Sequence, residues 1–343
     1  MSLTNRGKIT IGVLAGALVL VGVGALAFTG NAPAPIQRLV DELVEPPPDP
    51  CPLTGVELAR GREVPARPVV AVKIGNTEDA YPLSGLHDAD VIYEELVEGG
   101  LTRFVALYQC SAPTRVGPVR SARTTDPRIL FQYGEQPIMA YSGASPQVAE
   151  YVDDVGVLSL TETSANGSYA RDDSRLAPHN LYVSIRSLYR EAARAGSEMS
   201  APEPVFAFAE EFEGRSKRVR TASVMFSFAN TAEWRWSSGR WVRQFAGAPF
   251  ALDDGEALAV DNVLIQEVVV KAGIGASPDV TLTGSGRAWL LRDGRVVVGR
   301  WTRRSLDHVT AFTTRQGDDL QLKPGTVFVE LVPKETGEVT IGR

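Results

Sequence analysis

The hydrophobic pattern of the chain begins with Ile9 to Phe28, a run of 20 uncharged residues preceded by Arg6 and Lys8. A helix of that length rises about 30 Å and matches the core of a bilayer. Positive charge before the run and none within it place the N-terminus in the cytoplasm and the rest of the chain outside. Residues 1–28 read as an uncleaved transmembrane anchor, which the length of the run favours, or as a signal peptide cut after a site such as Ala25-Leu26-Ala27. Residues 29–50 intersperse Pro33, Pro35, Pro47, Pro48 and Pro50 with Asp41, Glu42, Glu45 and Asp49, a composition that predicts a semi-extended, self-repelling tether.

From residue 51 to 195 strand-like and helix-like runs alternate. Val69–Ile74, Asp90–Val97, Arg103–Cys110 and Pro137–Tyr141 are short, apolar and rich in β-branched residues. Asp126-Pro127 and Ser145-Pro146 each pair an N-cap residue with proline at the first helical position. Ile185, Leu188, Tyr189 and Ala192 follow the i, i+3, i+4, i+7 spacing of a helix that ends near Gly196. This alternation predicts an α/β (α+β) N-terminal domain with a mixed sheet.

The period changes after the linker at 196–204. Over 205–333 nearly all runs are strand-like: Val205–Ala209, Ala222–Phe228, Ala232–Trp236, Trp241–Phe245, Val263–Val270, Arg287–Leu291, Val296–Trp301 and Thr326–Val332. Ser238-Gly239 and Asp293-Gly294 lie where hairpin turns belong. All five tryptophans, residues 234, 236, 241, 289 and 301, fall in this part, and aromatic residues on short strands read first as core. The expectation is a mostly-β C-terminal domain followed by a tail at 334–343.

Composition narrows the class. With 44% hydrophobic and 22% charged residues in 343, the chain is neither mainly disordered nor a polytopic membrane protein. A formal net charge of −6 gives no basic surface for nonspecific binding to nucleic acid, so no such partner is expected. A zinc site would use most of two cysteines and three histidines, and His87, His179 and His308 share no ligand spacing; neither metal nor cofactor is expected. In an exported chain Cys51 and Cys110 most simply pair, closing about 60 residues and stabilising the fold by roughly 4 kcal/mol. The other reading is a nucleophilic thiol working with His179.

Two stretches carry a resemblance. YPLSGLHDADVIYEELVEGGLTRFVALYQ at 81–109, followed by VGPVRSAR at 116–123, is similar to the YerB-like family of bacterial envelope lipoproteins. YARDDSRLAPHNLYV at 169–183, DNVLIQEVVV at 261–270, GRAWLLRDGRVVVGRW at 286–301 and LKPGTVFVELVP at 322–333 extend it over about 51–333. The resemblance implies an N-terminal family domain at 51–195 and a C-terminal one at 205–333, both of unknown function. The chain departs from the family in having no lipobox cysteine, which leaves membrane attachment to the N-terminal helix.

Candidate chemistry concentrates at 85–128. Asp88, Asp90, Glu94, Glu95 and Glu98 form an acidic block, and Arg103, Arg115, Arg120, Arg123 and Arg128 follow with only Asp126 among them. The two blocks either pair internally or line a cleft in which Arg103, Arg120 and Arg123 hold a carboxylate or phosphate. Glu94 and Glu98 share a face in helix or strand and could act as acid and base on a sugar. Ser121 belongs to the turn Gly117–Arg123, whose N–H groups at 121–123 would add to an anion site if they opened a helix. Arg171, Arg175, His179 and Asn180 form the second cluster, with His179 either a structural hydrogen-bonding residue or a ligand contact. Walker A, His-Glu-x-x-His and Gly-x-Gly-x-x-Gly signatures are absent. The leading expectation is an extracytoplasmic, membrane-anchored binding or regulatory protein whose partner is a wall polymer or an envelope protein such as a wall-synthesis enzyme. A wall glycan- or phosphate-ester-processing hydrolase and a scaffold with no ligand site are the alternatives.

Overall fold

Seven strands and three helices build the first half of the fold in the computed structural model, which describes residues 49–343. The anchor or signal peptide at 1–28 and the tether up to residue 48 lie outside the described residues. Among the described residues no helix is long and apolar enough to cross a membrane. The strands are β1 (Val70–Asn76), β2 (Val91–Leu96), β3 (Thr102–Tyr108), β4 (Ile138–Tyr141), β5 (Leu158–Thr161), β6 (Tyr169–Arg171) and β7 (Leu181–Val183). The helices are α1 (Thr125–Leu130), α2 (Pro146–Asp154) and α3 (Ile185–Arg194). The Ser145 and Ser184 side chains cap α2 and α3 by accepting the N–H groups of Val148 and Ser187. Ile185, Leu188, Tyr189 and Ala192 form the buried stripe of α3, as their spacing predicts. At α1 the expected N-cap is displaced: the helix begins at Thr125, and Asp126 sits inside its first turn.

Thirteen strands make up the rest: β8 (Lys217–Arg218), β9 (Thr221–Ser227), β10 (Asn230–Ser237), β11 (Arg240–Phe245), β12 (Ala248–Pro249), β13 (Ala259–Val260), β14 (Asn262–Ala272), β15 (Pro278–Thr281), β16 (Gly284–Arg292), β17 (Arg295–Arg303), β18 (Ala311–Thr314), β19 (Val327–Pro333) and β20 (Glu338–Gly342). Ser238-Gly239 and Asp293-Gly294 are hairpin turns with positive φ at both residues, as two-residue turns between twisted strands require. Two expectations fail here. Val205–Ala209 forms no ladder beyond one bridge, Phe208 to Leu322, and its apolar character serves packing of Phe206 and Phe208 on the core. The supposed tail at 334–343 contains β20, whose Val339 and Ile341 pack on the core while it pairs with β9.

A mixed sheet of 12 strands runs β18-β17-β16-β14-β19-β2-β3-β1-β4-β5, with β15 paired to β14 and β8 to β17. It therefore contains strands from both segments: β19 lies parallel to β2 on one side and to β14 on the other. A second sheet, β12-β11-β10-β9-β20 with β13 on β11, is antiparallel throughout, and β9 and β10 alternate more and less buried positions. β2 and β19 are buried on both faces, which explains why they read as continuous apolar runs interrupted only by carboxylates. Cys51 and Cys110 are disulfide-bonded with Cα atoms 6.2 Å apart, so no thiol is left to act with His179.

Candidate functional site

Strands β1, β2, β4 and β5 point the same way, and their C-terminal ends lie at one edge of the sheet. The segment carrying Arg120 and Ser121 crosses this edge between β1 and β4. The Arg120 N–H donates to the Lys73 carbonyl (2.9 Å), and the Arg120 carbonyl accepts from the Ser142 N–H (3.0 Å). Loops at the C-terminal ends of parallel strands are where ligands settle in open α/β sheets. Gly75, next to the end of β1, allows this close packing: a Cβ there would stand 3.0 Å from Cγ of Arg120. A small cavity of about 120 Å³ opens at the edge, lined by Arg120, Ser121, Ser142, Arg171 and Pro178.

Three guanidinium groups meet at this edge. Arg123 is buried and ion-paired with Glu98 at 2.5 Å. Half-buried Arg103 donates to the Ser121 carbonyl (3.2 Å), and half-buried Arg120 to the Pro178 carbonyl (3.2 Å). Among the described residues neither Arg103 nor Arg120 has a carboxylate within ion-pair distance. Burial, then the neighbouring Arg123 and Arg120, lowers the Arg103 pKa to about 10, and burial with Arg123 lowers that of Arg120. The imidazole of His179 is likewise pushed down, by burial first and by Arg120 next, and its Nδ1 has no hydrogen-bond partner. Three guanidiniums face the Glu98 carboxylate, while the nearby Asp126 is already held by Lys73, so the edge attracts an anion.

The structure brings Arg103, Arg120, Ser121, Arg123 and Glu98 together and leaves Glu94 out. Successive residues on a strand face opposite ways, and because β2 is covered on both faces Glu94 and Glu95 are both buried. Glu94 accepts from Thr102 Oγ1 (2.6 Å) and Asn76 Nδ2 (3.1 Å) and pairs with Arg243 (2.9 Å), which also holds Glu330 (3.0 Å). Glu98 lies beyond the end of β2, in a 3-10 turn, where the alternation no longer applies. The acid–base pair read from the spacing of Glu94 and Glu98 is therefore not formed. Nor do residues 121–123 open a helix: the Ala122 N–H is taken by the Gly143 carbonyl and that of Arg123 by Asp126 Oδ2. Arg171 lies on the rim, exposed, joined to Glu162 (2.8 Å) and to Oδ1 of buried Asn180 (2.9 Å).

The acidic and basic blocks meet only through Glu98 and Arg123. Asp90 accepts the N–H groups of Gln109 and Cys110, Arg115 pairs with Asp172, and Arg128 with Asp279. Glu95 is answered by Lys73, which also holds Asp126 at 2.7 Å, all three fully buried. This buried trio escaped the sequence reading, although a lysine within the apolar run of β1 was its signal.

Two family models match the chain. One, described as the N-terminal domain of a protein of unknown function (DUF3048), covers residues 53–198; its C-terminal companion covers residues 222–329. YerB of Bacillus subtilis (strain 168), inferred to be a lipoprotein, is 27% identical over 293 residues, 82% of this chain and 86% of the relative. A crystal structure of the YerB protein from Bacillus subtilis superposes with a TM-score of 0.73 at 24% identity, covering 85% of this chain and 99% of that one, which shows a shared fold.

Proposed function

The chain belongs to this two-domain family, proteins of unknown function with DUF3048 N- and C-terminal domains, and from that premise we propose that it is an extracytoplasmic, membrane-held binding protein of the cell envelope. Its ligand would be a carboxylate- or phosphate-bearing group of a wall polymer or an envelope protein, received by Arg103, Arg120 and His179. One observation carries the reading: two half-buried guanidiniums with no carboxylate partner meet at this edge, and one of them, Arg120, lies near an imidazole whose Nδ1 has no hydrogen bond. Such groups are costly to leave unpaired and recover that cost when an anion binds. The disulfide and the lipoprotein relative support a location outside the cytoplasm. The hydrolase alternative gains no support from the geometry, since Glu94 is sealed behind Arg243.

The test is co-sedimentation of the full chain with purified cell-wall fragments, with wild type, Arg120→Ala and Glu98→Gln in parallel. Retention without release of soluble fragments, weakened about tenfold or more in Arg120→Ala, is the expected result. Soluble products that vanish in Glu98→Gln would replace the binding reading with the hydrolytic one.

A further inference from the structure

A second charged cavity lies in the C-terminal segment. It measures about 930 Å³, and its lining includes Lys217, Arg218, Arg220, Arg295, Arg343, Trp236 and Asp293. Asp293 is already held by Arg292 (2.8 Å) and Lys323 (3.1 Å). Among the described residues none of the five basic side chains has a carboxylate within ion-pair distance; Arg295 reaches only Ser216 Oγ (3.0 Å). The sheet also sets Arg218 directly opposite Arg295 across the β8–β17 pair. Like charges in that position repel, so the fold keeps two guanidiniums where one anion would relieve both.

The cavity has an aromatic wall. Trp236 ends the inward-facing series Ala232, Trp234, Trp236 of β10 and is half-buried where its neighbour Trp234 is sealed. It packs against fully buried Trp241, with ring centroids 5.4 Å apart. The Asp293-Gly294 turn closes on its edge: a Cβ at Gly294 would stand 2.7 Å from the Trp236 Nε1, and φ there is +64°. An indole beside five basic side chains matches a ligand that carries rings and fixed negative charge together.

We propose that this cavity binds an anionic glycan, with Arg218 and Arg295 sharing one anionic group and Trp236 stacking on a sugar ring. The site is separate from the Arg103–Arg120 edge and stands whether or not that edge binds a ligand. The choice of a sugar polymer over an oligonucleotide rests on the extracytoplasmic location proposed above.

The test is calorimetric titration of the full chain at fixed salt with dextran sulfate, with neutral dextran, inorganic polyphosphate and a single-stranded oligonucleotide as parallel probes. Dextran sulfate is expected to bind, and Arg218→Ala and Trp236→Ala each to weaken it about tenfold or more. Polyphosphate, which has charge and no ring, should lose affinity in Arg218→Ala and keep it in Trp236→Ala. Trp236→Phe retains an aromatic face and should retain most of the binding, which separates loss of stacking from loss of fold. Arg120→Ala should bind dextran sulfate as wild type does. Unchanged binding of dextran sulfate in Arg218→Ala, or equal binding of neutral dextran, would overturn the proposal. So would an oligonucleotide that binds more tightly than dextran sulfate and loses that affinity in Trp236→Ala.

Discussion

Glu94 and Glu95 are consecutive residues whose fates differ only by the face of β2 on which each lies. Glu94 meets one arginine shared with Glu330, while Glu95 meets one lysine shared with Asp126. In the second trio two buried carboxylates face a single cation, so one proton is retained more tightly than in the unfolded chain. Burial first, and Asp126 besides, raises the Glu95 pKa to about 7 against the opposing pull of Lys73. A carboxyl whose pKa rises on folding favours the folded state below its unfolded pKa, and that advantage disappears as pH climbs through the folded value. Asp90, raised to about 6 by burial, acts in the same sense. Stability should therefore fall between about pH 4.5 and 7, and Glu95→Gln should shallow the fall by one proton's worth, about 1.4 kcal/mol per pH unit. Urea melts of the two proteins across that range check it; parallel slopes would mean that Glu95 ionises freely in the fold. Lys73→Met removes the only cation of the trio and should cost about 3–5 kcal/mol in the same melts at pH 8.

At the scale of elements, the chain's patterns identify strands better than partners. β1, β3 and β14 lie within two residues or so of the runs that predict them, because β-branched residues bounded by turns specify extended backbone locally. Short pieces such as β8, β12, β13 and β20 carry no such run; what makes them strands is the ladder offered by a neighbour. The candidate edge was legible in the same partial way. The crowding of Arg103, Arg120 and Arg123 could be read from their spacing, whereas Arg243, which withdraws Glu94 from the site, lies some 149 residues away on another sheet. The disulfide is the element-scale feature in which the first of two sequence readings, pairing of the two cysteines, matches the structure. It joins Cys51, just before the turn at 52–54, to Cys110, just past the end of β3, across a separation of 59 residues, and Asp90 also accepts the Cys110 N–H at 3.1 Å. On the chain-entropy account, closing a loop of that length stabilises by roughly 4 kcal/mol. Replacing both cysteines with serine should lower the unfolding free energy by about that amount, with the loss appearing in the denaturation midpoint and not in the slope. A loss under about 1 kcal/mol would mean that the unfolded chain is already compact around this loop.

Over the whole molecule, residues 49–58 and 62–343 form one compact unit although they carry two family domains that differ in composition. The reason lies in β19. Its residues Val327–Glu330 pair with Val91–Glu94 of β2, and the same strand pairs with β14 from Asn262 to Val268. The run at Thr326–Val332 predicts the strand but not its pairing, because a parallel neighbour distant in sequence leaves no local mark. The shift at 196–204 reports a change of element type and carries no information about which strands share a sheet. Two consequences follow for the first segment taken alone. Without β19 the edge of β2 exposes unpaired backbone on a strand that is apolar on both faces, a template for aggregation. Without Arg243 the Glu94 carboxylate keeps its buried surroundings and loses its cation. Residues 51–204 expressed alone should accordingly be aggregation-prone, with no cooperative melt. The region 51–343 should unfold in one calorimetric transition with equal calorimetric and van't Hoff enthalpies. A soluble 51–204 fragment with its own cooperative melt, or two separated transitions in the longer chain, would show that the shared sheet couples the segments only weakly.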